Sequence, residues 1–210
     1  MNETTGRRAC GTRIQRANRE RILDAGLEIF SRYGFKGSTI DQIAAKAGMS
    51  KPNLLYYFRR KGEVYDAVLG DLLSLWLDPL REMRAEGEPL DEIRRYVFRK
   101  LEISRDRPRE SRLFANEMLT GAPRIHGLLA GELKTLVDEK ASVMRGWIEN
   151  GTLAPVDPYH LIFSVWATTQ HYADFDVQVR AVLGGGKEEE RFHDAAAFLA
   201  RLYTYGLAPG

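Results

Sequence analysis

The sequence predicts an all-α protein in which three short N-terminal helices precede a larger helical body. Two observations carry this prediction. Apolar residues recur three or four positions apart through most of the 210 residues, the spacing of one helix face. No run of alternating polar and apolar residues persists, so no strand is predicted.

The three short helices each have a chemical start or stop signal. They are predicted over residues 17–33, 39–47 and 50–58. Gly34 and Gly48 follow the first two helices as stop signals. Thr39 and Gln42 have the spacing of a capping box, and Pro52 falls in a first turn, where proline is tolerated.

The body is predicted to consist of longer helices. They cover residues 62–76, 89–104, 108–120, 128–150, 158–176 and 188–206. Pro79 predicts a break or kink after the first of them. Asn150-Gly151 is a stop signal and Asp157-Pro158 a start signal, and glycines 184–186 predict a flexible joint.

The charge is distributed unevenly along the chain. Residues 1–61 carry 13 Lys and Arg against 5 Asp and Glu, whereas the remainder carries 18 against 24. This asymmetry predicts that the N-terminal part meets a polyanion and the body does not. A solvated basic tail would explain Arg7, Arg8 and Arg13, but not the excess that continues into the predicted helices.

The composition excludes several classes of protein. The longest apolar run, LLSLWL, is far shorter than the roughly 18 residues that span a membrane. The polar start MNETTGRRACGTR lacks the apolar core of a signal peptide. A single cysteine, Cys10, excludes an internal disulfide, and we interpret it as an incidental thiol. A cytoplasmic protein without membrane partners is predicted.

The second and third helices, joined by a turn containing Gly48, have the pattern of a helix-turn-helix. At about 100° per residue, Leu54 and Phe58 share the inner face of the third helix, while Asn53 and Tyr56 point outward. Asparagine can pair with adenine, lysine can bind guanine or phosphate, and tyrosine hydroxyls can bond phosphate. The charge asymmetry disfavours the alternative, a polar face that is only solvated.

The stretch STIDQIAAKAGMSKPNLLYYFRRKGEVY resembles the DNA-binding domain of the TetR family of transcriptional regulators. The resemblance spans residues 17–66. It implies a three-helix DNA reader, a divergent helical ligand-binding body, and a homodimer on palindromic double-stranded DNA. By position, the family's DNA contacts fall on Thr39, Ser50, Lys51, Asn53, Tyr56, Tyr57 and Lys61. Leu55 stands where the family usually has tyrosine, so either Leu55 contacts a thymine methyl or Tyr56 takes over that role.

The domain organisation follows from this resemblance. We expect a flexible basic arm over residues 1–16, a helix-turn-helix DNA-binding domain over 17–61, and a ligand-binding and dimerisation domain over 62–210. Dimerisation is expected from the helices at 158–176 and 188–206. The second of these carries a stripe at helical spacing: Phe192, Ala195, Ala196, Leu199 and Tyr203. That stripe fits either a four-helix interface or an intramolecular core.

In the body, Trp166 and Gln170 are four residues apart and so share a helix face. An indole plane beside an amide suits a small flat polar ring, because the amide can pair with the O=C–N–H edge of an imide or pyrimidine. The alternative interpretation is that Trp166 belongs to the core and Gln170 is a buried structural amide.

Five blocks resemble regulators of pyrimidine utilisation within the family. They are KPNLLYYF, KLEISRDRPRESRLF, EMLTGAP, GTLAPVDPYHLIF and TQHYADF. The resemblance implies uracil or thymine as the effector that releases the DNA, and no cofactor. It places Trp76, Trp166 and Gln170 around the base, with Phe114 and Glu117 beside them. Glu117 could instead be a solvated carboxylate, and the effector could be a different small planar or apolar molecule.

Two other classes are disfavoured. His171, Asp174 and Asp176 lie close together, and Asp157 precedes His160 by three, but two ligands on one helix face are too few for a metal site. No nucleophile elbow, phosphate-cradling glycine loop or HExxH pattern is present, so no catalytic residue is predicted. A DNA-binding architectural protein would not need the aromatic body, and an acidic body cannot wrap DNA.

Overall fold

The computed structural model describes the backbone of residues 3–184 and 188–209, with side chains for residues 13–184 and 190–209. All regular elements in these ranges are helices, which confirms the predicted fold class. None of the described helices is long and apolar enough to cross a membrane. The chain divides into two compact units, Met1–Leu72 and Leu73–Gly210. The division therefore falls inside a helix, eleven residues after the boundary expected from the sequence at residue 61.

The first unit contains three complete helices and part of a fourth. They are α1 (Glu3–Gly37), α2 (Ile40–Lys46), α3 (Lys51–Tyr57) and the first part of α4 (Lys61–Arg81). Residues 3–16, expected to be an arm, belong to α1, so this helix begins earlier than predicted. Gly34 interrupts α1 as predicted, because its φ of 68° lies in the left-handed region that favours glycine.

The core of the first unit is closed by apolar and aromatic side chains. Leu54 on the inner face of α3 is fully buried, together with Ile22 and Ile43. The rings of Phe30 and Tyr65 meet edge to face with their centroids 4.8 Å apart. These burials fix which side of α3 faces outward.

The turn between α2 and α3 is built as the sequence predicts. Thr39 and Gln42 form the capping box: Thr39 Oγ1 accepts a hydrogen bond from the Gln42 backbone N–H, and Gln42 Oε1 accepts one from the Thr39 N–H. Gly48 adopts a φ of 64° after α2. Ser50 caps α3 by accepting from the Asn53 backbone N–H. Local chemistry thus sets both ends of the turn.

The second unit contains the rest of α4 and seven further α-helices within the described residues. They are α5 (Pro89–Asp106), α6 (Pro108–Leu119), α7 (His126–Leu128), α8 (Lys134–Glu149), α9 (Pro158–Asp174), α10 (Asp176–Leu183) and α11 (Glu188–Leu207). A π-helical turn over Leu129–Leu133 joins α7 to α8. Helix α5 packs against both α9 and α11, and α6 packs against α9.

Several predicted boundaries in this unit need correction. Of the two outcomes predicted at Pro79, the break is wrong, because α4 continues to Arg81. The helix predicted over 158–176 ends at Asp174, and the separate helix α10 follows it. Gly184 ends α10 with a φ of 78°, while Gly185 and Gly186, the rest of the predicted joint, lie outside the described residues. The signals at Asn150-Gly151 and Asp157-Pro158 both act as predicted.

The apolar stripe on α11 belongs to the intramolecular core and not to a four-helix interface, the other interpretation that the sequence allows. Its members Phe192, Ala195, Leu199 and Tyr203 are buried, and Ala196 is half-buried. The packing of α11 against α5 accounts for their burial. A different face of α11 carries the exposed apolar side chains Phe198, Leu202 and Tyr205.

Candidate DNA-binding surface and effector cavity

Helix α3 presents a polar face of the kind that reads DNA. Ser50, Lys51, Asn53 and Tyr56 are all exposed, and Tyr56 is 72% exposed. No hydrogen bond among the described residues uses the side-chain amide of Asn53. Leu55 is half-buried. The outward face therefore contains an amide, an ammonium and a phenol that are available to a partner.

Lys51 is paired with Asp41 across the turn, with Nζ 3.0 Å from Oδ2. Both side chains are about half exposed or more. Exposed pairs of this kind stabilise a protein by roughly 0–1 kcal/mol. Lys51 can therefore exchange Asp41 for a phosphate or a base edge at little energetic cost.

Tyr57 is held in place by a residue that the sequence did not point to. Its hydroxyl oxygen accepts a hydrogen bond from Asn18 Nδ2 on α1 at 2.9 Å. The ring of Tyr56 meets that of Tyr57 edge to face with centroids 5.2 Å apart. The hydroxyl hydrogen of Tyr57 is left free to donate, because Asn18 uses only the oxygen.

Lys61, expected to contact phosphate, is turned toward its own unit. Its Nζ donates to the backbone carbonyls of Phe35 and Ser38, each at 2.6 Å. The same ammonium lies 4.5 Å from the centre of the Phe35 ring. Lys61 therefore stabilises the chain where α1 ends, and a phosphate contact would be a second role for it.

Thr39 and the two arginines before Lys61 also lie at the surface of this unit. Thr39 is exposed although its hydroxyl belongs to the capping box. Arg60 pairs with Glu63 at 3.3 Å, and the Glu63 carboxylate accepts from the backbone N–H of Arg59. The turn before α4 thus places two exposed arginines, Arg59 and Arg60, at the surface.

The second unit encloses a cavity of about 780 Å³ between α4, α5, α6, the π-helical turn and α9. Its wall is largely apolar and includes Leu73, Leu77, Met118, Leu119, Leu129 and Leu133. A volume of this size is in the range of small-molecule sites, which are mostly apolar with a few convergent polar groups.

Four of the five expected effector residues line this cavity: Trp76, Phe114, Trp166 and Gln170. Glu117, the fifth, is not part of the wall. It is 5% exposed, and its Oε1 accepts a hydrogen bond from the Arg124 backbone N–H at 3.1 Å. Both earlier interpretations of Glu117 therefore need correction, because the carboxylate is buried and holds the loop after α6.

Trp166 and Gln170 lie on the same face of α9, as the four-residue spacing requires. The indole N–H of Trp166 donates to the buried hydroxyl of Tyr96 at 2.6 Å, which fixes the plane of the ring. The ring of Phe163 lies beside it, with centroids 5.5 Å apart. No hydrogen bond between described residues uses the side-chain amide of Gln170. A fixed aromatic plane therefore stands next to an available amide.

The cavity also holds charged groups that the sequence did not assign to an effector site. Lys100 on α5 is 2% exposed, and Asp174 and Arg112 line the same wall. Burial lowers the pKa of the Lys100 ammonium to about 7, and the Asp174 carboxylate partly offsets this effect. Burial raises the pKa of Asp174, while a hydrogen bond from Ser111 opposes the rise.

Asp174 and His171, which by sequence are an incomplete set of metal ligands, both lie in the cavity wall. No group of three or more His, Cys, Asp or Glu side chains that could hold a metal ion occurs among the described residues.

A helix-turn-helix reader joined to a helical unit with its own cavity defines a DNA-binding regulator with a small-molecule site. The chain belongs to the TetR family of bacterial transcriptional regulators. Residues 22–68 match the tetR family of bacterial regulatory proteins, and residues 69–210 match the C-terminal region of YcdC-like proteins. Its relatives are regulators of transcription, and the chain is a regulator rather than an enzyme.

Curated relatives match the chain over nearly its full length. The HTH-type transcriptional regulator RutR of Escherichia coli K12 is 48% identical over 208 residues, which is 99% of this chain and 97% of the relative. RutR of Shigella flexneri has the same identity and coverage. The chain is therefore a RutR-like member of the family.

Solved structures share the fold at low sequence identity. A TetR-like transcriptional regulator from Rhodococcus sp. RHA1 has a TM-score of 0.64 at 22% identity, covering 90% of this chain and 94% of that one. AibR in complex with isovaleryl coenzyme A and operator DNA has a TM-score of 0.66 at 17% identity, covering 88% and 97%.

We expect Lys100→Met to raise the melting temperature most at low pH. The pKa of Lys100 is about 7 in the folded chain against 10.5 unfolded, so the buried charge destabilises the fold fully below pH 7. That penalty fades as the pH rises from 7 towards 10.5. Asp174 keeps Ser111 and Arg112, the larger opposing influences on its pKa. Calorimetry at pH 6, 8 and 9.5 should show a gain of about 2–4 °C per kcal/mol recovered, shrinking with pH.

Lys140→Met is the matched control for this prediction. Lys140 is also buried, at 7% exposure, but its Nζ donates to the Met83 carbonyl and to Glu139. Its loss should lower the melting temperature because the Met83 carbonyl loses its donor. A gain for Lys100→Met that is equal at pH 6 and pH 9.5 would contradict the prediction.

Proposed function

We propose that this protein is a regulator of pyrimidine utilisation that binds a palindromic operator as a homodimer and is released by uracil or thymine. The observation that carries the proposal is the cavity of the second unit. There a fixed indole plane, Trp166, stands beside an available amide, Gln170, with Trp76 and Phe114 in the same wall. The resemblance of five sequence blocks to pyrimidine-utilisation regulators supports it.

The DNA-binding part of the proposal rests on the exposed face of α3. Asn53 supplies donor and acceptor groups for an adenine edge, and Lys51 supplies a cation held only by an exposed ion pair. Tyr56 and Tyr57 supply phenols suited to phosphate. Thr39, Ser50 and Lys61 complete the proposed contacts, and Leu55, half-buried, offers an apolar contact beside them.

The effector part rests on complementarity with a flat polar ring. The faces of such a ring can stack on Trp166 and Phe114. Paired aromatic rings gain interaction energy in addition to the energy from the apolar area that they bury. The amide of Gln170 can donate to a ring carbonyl and accept from the adjacent N–H. Glu117 is not included in this site, because its carboxylate is engaged with Arg124.

The homodimer part rests on the exposed apolar faces of α9 and α11. Phe163 is 47% exposed on α9, and Phe198, Leu202 and Tyr205 are 59%, 48% and 75% exposed on α11. Large exposed apolar side chains of this kind, three of them at helical spacing on α11, are typical of protein interfaces. A two-fold axis between two such helix pairs would bury these side chains and produce a symmetric DNA-binding dimer.

Release follows from linked equilibria. Uracil can weaken operator binding only if it binds the DNA-free conformation of the dimer more tightly than the DNA-bound one. Operator DNA must then weaken uracil binding by the same factor. The chain needs no covalent step or cofactor for this.

The size of the cavity favours a second candidate, a TetR-type repressor that senses a larger or more apolar ligand. A single pyrimidine ring fills only part of about 780 Å³. Much of the wall is leucine and methionine, which suits an alkyl or extended aromatic group. Ligand screening separates the two candidates.

We expect Asn53→Ala to weaken specific operator binding by about 10–100-fold and to leave non-specific binding largely intact. The reason is that an amide on a base edge reads sequence, whereas phosphate contacts do not. Fluorescence anisotropy with an operator selected from a random DNA pool and with a scrambled duplex measures both constants. Equal losses on the two duplexes would contradict a base-reading role.

Lys61→Ala gives the contrasting case for the same assay. A phosphate contact predicts weaker binding to both duplexes and a salt slope reduced by about one. Loss of the two carbonyl contacts alone predicts a lower melting temperature with an unchanged slope. The salt slope therefore decides whether Lys61 has the second role.

Leu202→Arg should convert the dimer to a monomer, because a charge buried in an apolar interface is strongly unfavourable. Sedimentation equilibrium of the full chain measures the mass. Val177→Arg is the control, since Val177 is 84% exposed and belongs to α10, which is not part of the proposed interface. A dimeric Leu202→Arg variant would reject this interface, and a monomeric unmodified chain would reject the homodimer.

Uracil and thymine should raise the melting temperature of the unmodified chain and release the operator. At a ligand concentration of 100 Kd the stabilisation is about 2.7 kcal/mol. Gln170→Ala should bind operator normally but no longer respond to uracil. Gln178→Ala, exposed on α10, is the matched control and should respond fully. If neither base shifts the melting temperature while other ligands do, the pyrimidine proposal fails and the second candidate stands.

A further inference from the structure

The three tryptophans of the chain differ in how their indole N–H groups are used. Trp147 donates to the Ala85 carbonyl at 2.9 Å, and Trp166 donates to the Tyr96 hydroxyl at 2.6 Å. Trp76 is 5% exposed, and its N–H has no hydrogen-bond partner among the described residues. Buried N–H groups are nearly always paired, so an unpaired one in a cavity wall is a donor that a bound molecule can use.

The two lysines that are buried among the described residues show the same contrast. Lys140 donates to the Met83 carbonyl and to Glu139. Lys100 is more deeply buried, at 2% exposure, yet no hydrogen bond among the described residues uses its Nζ. That Nζ lies 5.2 Å from the centre of the Trp76 ring. A buried indole N–H without an acceptor and an ammonium group that makes no hydrogen bond among the described residues are therefore neighbours in the same cavity.

The charges around Lys100 do not replace a hydrogen-bond acceptor. Asp174 faces it from α9, but the Asp174 carboxylate accepts a hydrogen bond from Ser111 and also lies near Arg112 of α6. Burial removes water from the Lys100 ammonium and lowers its pKa to about 7, because Asp174 compensates for only part of the lost solvation.

An imide ring such as uracil has more polar groups than Gln170 can satisfy. The ring has two carbonyl oxygens and two N–H groups, and one side-chain amide pairs with one of each. One carbonyl oxygen and one N–H are left over. Lys100 Nζ and the Trp76 N–H can both donate to the leftover carbonyl oxygen, which has two lone pairs. Ser111 donates to Oδ1 of Asp174, so Oδ2 in the same wall can accept from the leftover N–H.

We infer that Lys100, together with the indole N–H of Trp76, determines effector specificity by binding the ring carbonyl oxygen that Gln170 does not bind. This inference rests on the proposed function. It defines the effector class as planar rings with an acceptor oxygen at that position. A ring with an amino group in place of that oxygen would bring a hydrogen-bond donor against the two donors Lys100 and Trp76. The protein would therefore bind such a ring more weakly.

The test is calorimetric titration of the full chain at pH 7 with uracil, 2-thiouracil and 4-thiouracil. Sulfur accepts hydrogen bonds weakly, so each analogue removes one good acceptor. Lys100→Met should raise the Kd for uracil by about 10–100-fold, the effect of removing a charged hydrogen bond. One of the two thio analogues should bind the unmodified chain more weakly than uracil, and Lys100→Met should lose most of that difference.

Lys140→Met is the matched buried-lysine control and should keep both the uracil Kd and the thio discrimination. Lys100→Met is expected to be the more stable of the two variants below pH 7, so its loss of binding cannot come from unfolding. An unchanged uracil Kd in Lys100→Met, or full retention of the thio discrimination, overturns the inference alone. Failure of the unmodified chain to bind uracil or thymine overturns the proposed function and the inference with it.

Discussion

The burial of one face of α9 is the constraint on which the proposed effector site depends. Ile162, Val165 and Thr169 are almost completely buried in the body of the second unit, where α9 packs against α5 and α6. A helix with one face fixed has no freedom to rotate, so Trp166 and Gln170 on the adjacent face must line the cavity. The hydrogen bond from Trp166 to Tyr96 of α5 adds a second point of attachment. The same helices therefore determine both the packing of the second unit and the geometry of the site.

Local chemistry made much of this architecture predictable. The Thr39–Gln42 capping box, Gly48 and the Asp157-Pro158 start act over a few residues, and each appears as the sequence indicates. The face of α3 follows from helical spacing alone. By contrast, α10 escaped prediction because no glycine or proline separates Asp174 from Asp176, and a turn at Phe175 divides the two helices.

Long-range contacts account for what the sequence did not reveal. Asn18 orients Tyr57 from 39 residues away, and Ser111 reaches Asp174 from 63 residues away. Lys100 lies within KLEISRD, where a helical lysine ordinarily predicts a solvated side chain. Only the packing of α5 against α9 and α11 turns it into a buried cavity residue. The charge of an effector site is therefore less predictable than its aromatic residues.

The polar groups of the two units indicate how an effector could act on DNA binding. Where polar groups are structural, as at Lys61, Trp147 and Lys140, they are fully engaged with carbonyl oxygens. In the cavity, the indole N–H of Trp76 has no acceptor among the described residues, and a buried unpaired donor costs about 1–3 kcal/mol. An effector that accepts this hydrogen bond recovers that free energy. Allosteric coupling free energies are typically about 1–3 kcal/mol. One such hydrogen bond that forms in the DNA-free conformation but not in the DNA-bound one is therefore sufficient for release. The recovered free energy favours release only if the cavity differs between the DNA-bound and DNA-free conformations. An effector that binds both conformations equally does not shift the equilibrium between them.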